Sequence, residues 1–148
     1  MATFVLKNAF VGLGSSAAWK DHTQFVRSVA LTHEAETQDE TAMGDNSRSS
    51  LGALKSWAVE IELNADFAST DMDEDINTKL GQTPTSGGAG YWVTISPTTA
   101  VVSATNPRYY GRGLLTSYGP VSGTVGDVAT HSLSIMGVGD LNRSTTAT

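Results

Sequence analysis

The segment Lys55-Ser56-Trp57-Ala58-Val59-Glu60-Ile61-Glu62-Leu63-Asn64-Ala65-Asp66 constrains the fold more than any other part of the chain. Val59, Ile61 and Leu63 alternate with Glu60 and Glu62. That is the period of a strand with one face packed on a core and the other wet. A second strand-like run, Val26 to Glu36, places Val29 and Leu31 on one face. Between the two lies Thr37 to Leu54, rich in Asp, Glu, Ser and Gly and lacking helical periodicity. Hairpin loops usually hold two to five residues, and structureless loops beyond about 12–15 residues usually carry function. A long polar loop in a chain with no catalytic cluster points to contact with another protein.

The remaining segments read as short strands and one helix. Thr3 to Val11 reads as a strand that Gly12-Leu13-Gly14-Ser15-Ser16 breaks. Ala17 to Phe25 reads as a turn or a single helical turn. Asp71 to Leu80 is the one clear helix. Thr70 or Asp71 can cap it, Asp71 with Glu74 fits a capping box, and Met72, Ile76 and Leu80 form an apolar stripe. Gly81 follows as the stop. After a Gly-rich loop from Pro84 to Gly90, further strands are predicted at Tyr91–Ser96, Thr99–Ala104, Tyr110–Tyr118 and Ala129–Gly137. Turns fall at Asn106-Pro107, Gly119-Pro120 and Gly126-Asp127. One helix among many short strands predicts a mainly β fold: an antiparallel barrel or sandwich with the helix at its side, in a single domain spanning 1–148.

Composition excludes several classes. There is no cysteine, so disulfides and thiolate metal sites are ruled out. The N-terminus lacks a basic stretch followed by an apolar one, and no apolar run approaches the roughly 20 residues that span a bilayer. The expectation is a chain made and folded in a cytoplasm, with no membrane partner. Asn142-Arg143-Ser144 matches a glycosylation sequon, which has no meaning without a secretory route. The net charge of −6 argues against coating nucleic acid. From His33 to Asp75 the chain holds twelve acids and two bases, a net −10, and elsewhere three acids and seven bases, a net +4. Such asymmetry describes either a solvated acidic face or opposite patches that meet between subunits.

Candidate chemistry gives way to structural readings. Asp71-Met72-Asp73-Glu74-Asp75 resembles a calcium loop, but Ile76 and Gln82 stand where an EF-hand needs Gly and Glu. Gly12-x-Gly14 and Gly137-x-Gly139 do not continue as phosphate-binding fingerprints. His22, His33 and His131 are isolated from one another, and His131 shares the alternation of Leu133 and Ile135. Gly-x-Ser-x-Gly is absent. Glu60 and Glu62 lie about 7 Å apart on one strand face, a tolerable glycosidase spacing, but few aromatics exist to line a cleft. Trp19, Trp57 and Trp92 with Tyr109, Tyr110 and Tyr118 suit core or subunit-interface anchors better than a sugar platform. Neither an enzyme nor a cofactor is expected.

The C-terminal third carries an ordered set of motifs: Ser103-Ala104-Thr105-Asn106-Pro107-Arg108-Tyr109-Tyr110-Gly111, Leu114-Leu115-Thr116-Ser117-Tyr118, Gly123 to Ile135, and Gly137 to Arg143. Together with Asp39-Glu40-Thr41-Ala42-Met43-Gly44-Asp45 and Leu54-Lys55-Ser56-Trp57, this resembles the tail tube (major tail) proteins of long-tailed bacteriophages, from about Val26 to Arg143.

The resemblance implies a barrel-like antiparallel β-sandwich with one flanking α-helix at about 71–80. It implies subunits that form hexameric rings, stacked into a hollow virion tail tube assembled in the host cytoplasm. DNA would pass through it without specific binding, and a tape measure protein and tail-tip and terminator proteins would be partners. Thr37 to Leu54 would be the ring-stacking loop, presenting Asp39, Glu40, Met43, Asp45, Arg48 and Leu51. Glu34, Glu36, Glu60 and Glu62 would face the lumen, where an acidic bore repels phosphate. Arg27, Arg48, Lys55, Arg108 and Arg112 are the candidate cations between subunits. Alternatives are another virion ring protein, such as a terminator or decoration protein, and a carbohydrate-binding β-sandwich using Trp92.

Overall fold

A computed structural model describes residues 4–15, 18–67, 73–84 and 91–146, with the side chains of 15, 18 and 19 set aside. The strands are β1 (Phe10–Ser15), β2 (Ala18–Asp21), β3 (Val26–Asp39), β4 (Ser50–Asn64), β5 (Tyr91–Ser96), β6 (Arg108–Ser122), β7 (Thr130–Gly137) and β8 (Asn142–Ser144). A 3-10 turn, Thr23–Phe25, links β2 to β3, and one helix, α1 (Asp73–Lys79), lies between β4 and β5. All eight strands join one sheet in the order β2-β1-β5-β6-β7-β4-β3, with β8 added to the start of β6. Every pairing is antiparallel. The fold is therefore mainly β with one flanking helix, as the alternating pattern predicts.

The core shows why the sheet curls. Val11 and Leu13 of β1, Val59, Ile61 and Leu63 of β4, Tyr91, Val93 and Ile95 of β5, Leu115 of β6, and Leu133 and Ile135 of β7 form one buried cluster. A single flat sheet cannot bury one face on itself. The β1–β5 side folds over the β3–β4 side, and Val29 and Leu31 share an open apolar cleft of about 580 Å³ with Ile95 and Tyr109. Ile76 of α1, fully buried, closes the core. Burying a side chain of this size is worth ~2–3 kcal/mol, and it fixes a helix too short to stand alone.

Trp57 is the last buried residue of β4 before the strand leaves the core. Its indole lies against Gly111 and Gly137, where an added Cβ would come within 2.7 and 2.3 Å of the ring. Its Nε1–H donates to the Gly139 carbonyl at 3.1 Å. His131, fully buried, takes a backbone N–H from Asp66 on Nε2 at 3.2 Å, and its Nδ1 lies 2.8 Å from the Pro120 carbonyl. That pairing makes Nδ1–H the donor and holds the chain after β4 against β6.

Several boundaries differ from expectation. Gly12 and Gly14 do not break a strand but sit within β1, paired with β2 on one side and β5 on the other. Phe4 to Leu6 are not in a strand. Residues 99–104 are no strand either, because Asn106 folds them into turns. Its Nδ2 donates to the Ala100 carbonyl at 2.8 Å and its Oδ1 accepts from Thr98 N–H at 3.1 Å. The expected stop at Gly81 holds, with φ at +74°. Thr70, Asp71, Met72 and the 85–90 stretch lie outside the described residues, and Leu80 is exposed.

Candidate functional site

Three surfaces stand out on this framework. The first is the β3–β4 hairpin. The strands pair well beyond the expected loop boundaries: Thr37 meets Gly52, Gln38 meets Leu51 and Asp39 meets Ser50. The polar loop is therefore the ten residues 40–49, carried on an extended two-stranded arm. Every residue from Ser50 to Ser56 is exposed, so seven strand residues project beyond Trp57, about 23 Å at 3.3 Å per residue. Backbone hydrogen bonding builds the arm, since it has no core to bury.

The tip is built by its own side chains. Asp39 Oδ1 accepts from the Thr41 N–H at 2.9 Å and from the Thr41 hydroxyl. The Thr41 side-chain and backbone hydrogen bonds hold the Asp39 carboxyl below the usual carboxylate range. Ala42 N–H donates to Asp45 Oδ2 at 2.8 Å, Ser49 N–H to Thr41 Oγ1 at 2.9 Å, and the Ser49 hydroxyl to Glu40 Oε1 at 2.8 Å. Gly44 turns the chain at φ +100°. Met43 stands out fully exposed, at 106%. Asp39, Glu40, Asp45, Arg48 and Leu51 are exposed on or beside this tip.

The second surface is the outer face of β3, β4 and β7. Residues paired in register share a face. Glu60 meets Ala30 and Ser134, Glu62 meets Ser28 and Ser132, and Glu34 meets Ser56. The structure thus brings Glu34, Glu60 and Glu62 to one face of small polar side chains, opposite the buried Val59, Ile61 and Leu63. Glu36 follows two residues on, where the register shifts between Ala35 and Thr37. Arg27 sits 3.9 Å from Glu62 of its own chain, at 50% and 45% exposure. Pairs this exposed contribute little.

The third surface was not legible as a unit. On the outer face of β6, Arg108, Tyr110 and Arg112 recur at every second residue. Arg112 lies opposite Trp92 and Tyr110 opposite Thr94 on β5. The Arg108 guanidinium carbon stands 5.7 Å from the Phe10 ring centroid, and that of Arg112 5.5 Å from the Trp92 ring. Such stacks hold a guanidinium in place by the ring's electron-rich face. The signal was the basic–aromatic alternation of Arg108-Tyr109-Tyr110-Gly111-Arg112, read at strand period. Lys55 and Arg48 are exposed and lie apart from this face, on the arm. The expected cations therefore split among three surroundings.

Of the expected aromatic anchors, Trp57 is a core residue, and Tyr91, which was not among them, is buried with it. Tyr118 donates to Asp73 Oδ1 and Tyr91 approaches Asp75 Oδ2 at 3.4 Å, which pins α1 to β5 and β6. Burial first, and the adjacent carboxylates next, push both phenols above their ordinary range. His22 is buried and its imidazole is pushed down by that burial. Among the described residues, no group of three or more His, Asp or Glu could hold a metal ion, and no helix is long and apolar enough to cross a membrane.

An eight-stranded curled antiparallel sheet, one short flanking helix and a projecting hairpin arm define a fold of the tail tube type. Solved structures it resembles include tail and injection-machine components. A chain from the tail of an empty gene transfer agent particle, refined helically with C6 symmetry, matches at TM-score 0.65 and 19% identity, over 91% of this chain and 94% of that one. A chain from the extended sheath–tube complex of the PVC extracellular contractile injection system matches at TM-score 0.68 and 13% identity, covering 97% and 93%. A chain from the sheath/tube terminator of that system matches at TM-score 0.69 and 15% identity, covering 97% and 98%. At these identities the likeness is one of fold. No protein-family model and no curated protein matches the sequence.

Proposed function

We propose that this chain is a structural virion subunit whose copies form rings that stack into a hollow tail tube. The observation that carries the reading is the end-to-end fold match to components of a gene transfer agent tail and of a contractile injection system. Six copies per ring is the number we favour, since the neighbouring gene transfer agent tail has C6 symmetry. In this reading, the β3–β4 arm stacks one ring on the next, and the face bearing Glu34, Glu60 and Glu62, with Glu36, lines the bore. A carboxylate-lined bore lets DNA slide because its excess of like charge repels phosphate. Lateral contact would join the exposed edges β2 and β3 of adjacent copies, giving their backbone groups partners.

The role is architectural, without catalysis or cofactor. A tape measure protein inside the tube and tip and terminator proteins at its ends are the expected partners. A second reading has a specific observation in its favour: the likeness to a chain of a sheath/tube terminator. Electron microscopy of the purified chain at high concentration separates the two. Hollow tubes establish the tube subunit, single rings that never lengthen establish the terminator, and monomers at every concentration count against both.

A further inference from the structure

The arm and the outer face of β6 are opposite in charge. The tip carries Asp39, Glu40 and Asp45 against Arg48, on an arm that projects from β3 and β4. The outer face of β6 carries Arg108 and Arg112, two strands away from β4 across β7. Among the described residues, the acid in register with that face is Asp21, opposite Gly12, and its Oδ1 already accepts from Thr23 N–H. We infer that the acidic hairpin tip of one copy docks on the Arg108–Tyr110–Arg112 face of a second copy. This rests on the proposal that copies of the chain stack, and it names the surface that receives the arm.

The chemistry of both sides suits the contact. A guanidinium held over a ring by cation–π attraction spends no N–H bond on that contact, and its N–H rim takes carboxylates in a bidentate fork. Phe10 and Trp92 hold the two arginines in place, which lowers the entropy lost on pairing. Arg108 Nε is buried and has no hydrogen-bond partner among the described residues. The tip is likewise preset by Thr41, Ser49 and the Ala42–Asp45 turn. Met43, fully exposed between the acids, supplies a thioether for the half-buried Tyr110 and Trp92 rings. A tip-to-face contact between different patches is heterologous, so it propagates instead of closing a dimer.

The test uses the full chain in two complementary variants. Arg108→Glu with Arg112→Glu reverses the face. Glu40→Arg with Met43→Arg reverses the tip and leaves its turn-forming Asp39 and Asp45 intact. Circular dichroism melts confirm that each folds. By sedimentation velocity and electron microscopy, each variant alone should need about tenfold or more protein to assemble, with charge pairs turned into clashes. Mixing the two should restore assembly, because every tip then finds a face of opposite sign. Wild-type tubes alongside a face-reversed variant that assembles normally would overturn the docking and leave the face to an acidic protein outside the filament. Two folded variants that fail to assemble on mixing would overturn it equally. A wild-type chain that never assembles overturns instead the stacking proposal beneath it.

Discussion

Gly137→Ala tests how the arm is rooted. Gly137 lies at the end of β7, and its φ is not positive, so its backbone accepts alanine without strain. The obstacle is Trp57. A Cβ at 137 would stand 2.3 Å from indole Cε2 and Nε1, well inside contact distance. The ring is 3% exposed and hydrogen-bonded to Gly139, so it has little freedom to retreat. Overpacking of this kind costs about 1–3 kcal/mol. For a domain of this size that lowers the melting temperature by roughly 2–12 °C. Urea and thermal unfolding followed by far-UV circular dichroism measure both. The decisive arm is a double-mutant cycle: in a Trp57→Leu background the alanine has room, and its cost should fall below about 0.5 kcal/mol. Hydrogen exchange should also quicken along Thr32–Asp39, the β3 partner of the arm. A neutral Gly137→Ala, or a penalty undiminished by Trp57→Leu, would refute the claim that the indole packed on glycine roots the arm.

Three further outcomes follow from the same geometry. Asn106→Ala should cost about 1–3 kcal/mol by leaving the Thr98 N–H and the Ala100 carbonyl without their amide partner; denaturant titration reads it, and a change under 0.5 kcal/mol would sink the role. Stability should fall at both ends of the pH scale. The neutral imidazole of His22 is favoured in the fold, so stability is full above its ordinary 6.5 and declines as pH falls below it. Tyr91 and Tyr118 are raised, so theirs is full below the ordinary 10.0 and is lost as pH rises beyond it. Tyr118→Phe should flatten the alkaline limb, and an unchanged limb would count against the assignment. Last, Glu60→Lys with Glu62→Lys should leave the fold intact, since both side chains point away from the core. Assembled tubes of this variant should retain DNA at low salt and release it as salt rises, where wild-type tubes retain none; equal retention would remove the lumen role from these residues.

What the sequence revealed tracks what burial writes into it. β4 and β7 pack one face on the core, so Val59, Ile61 and Leu63, and His131, Leu133 and Ile135, alternate as buried residues and were readable as such. The arm was hidden for the converse reason. From Thr32 to Asp39 and from Ser50 to Ser56 no residue is buried, so nothing imposes an apolar period, and a paired ribbon looks like a loop. β1 was masked by Gly12 and Gly14, which read as breakers in isolation but lie between two partner strands. Residues 99–104 erred the other way: their Thr and Val content suits a strand, and the Asn106 side chain outcompetes it.

The same logic explains which part of the functional surface was legible. Glu60 and Glu62 alternate with core residues, so their shared outward face follows from the strand period alone. Tyr110 and Arg112 alternate with glycines, Gly111 and Gly113, that are small because Trp57 and Ile135 fill the space above them. Glycine at those core positions erases the apolar half of the pattern, and with it the sign that the arginines share a face. What identifies that face is a contact across strands, from β6 to Phe10 and Trp92, which no single segment records. Core-facing glycines that admit a neighbour's large ring are thus a signal to look on the opposite face of the same strand.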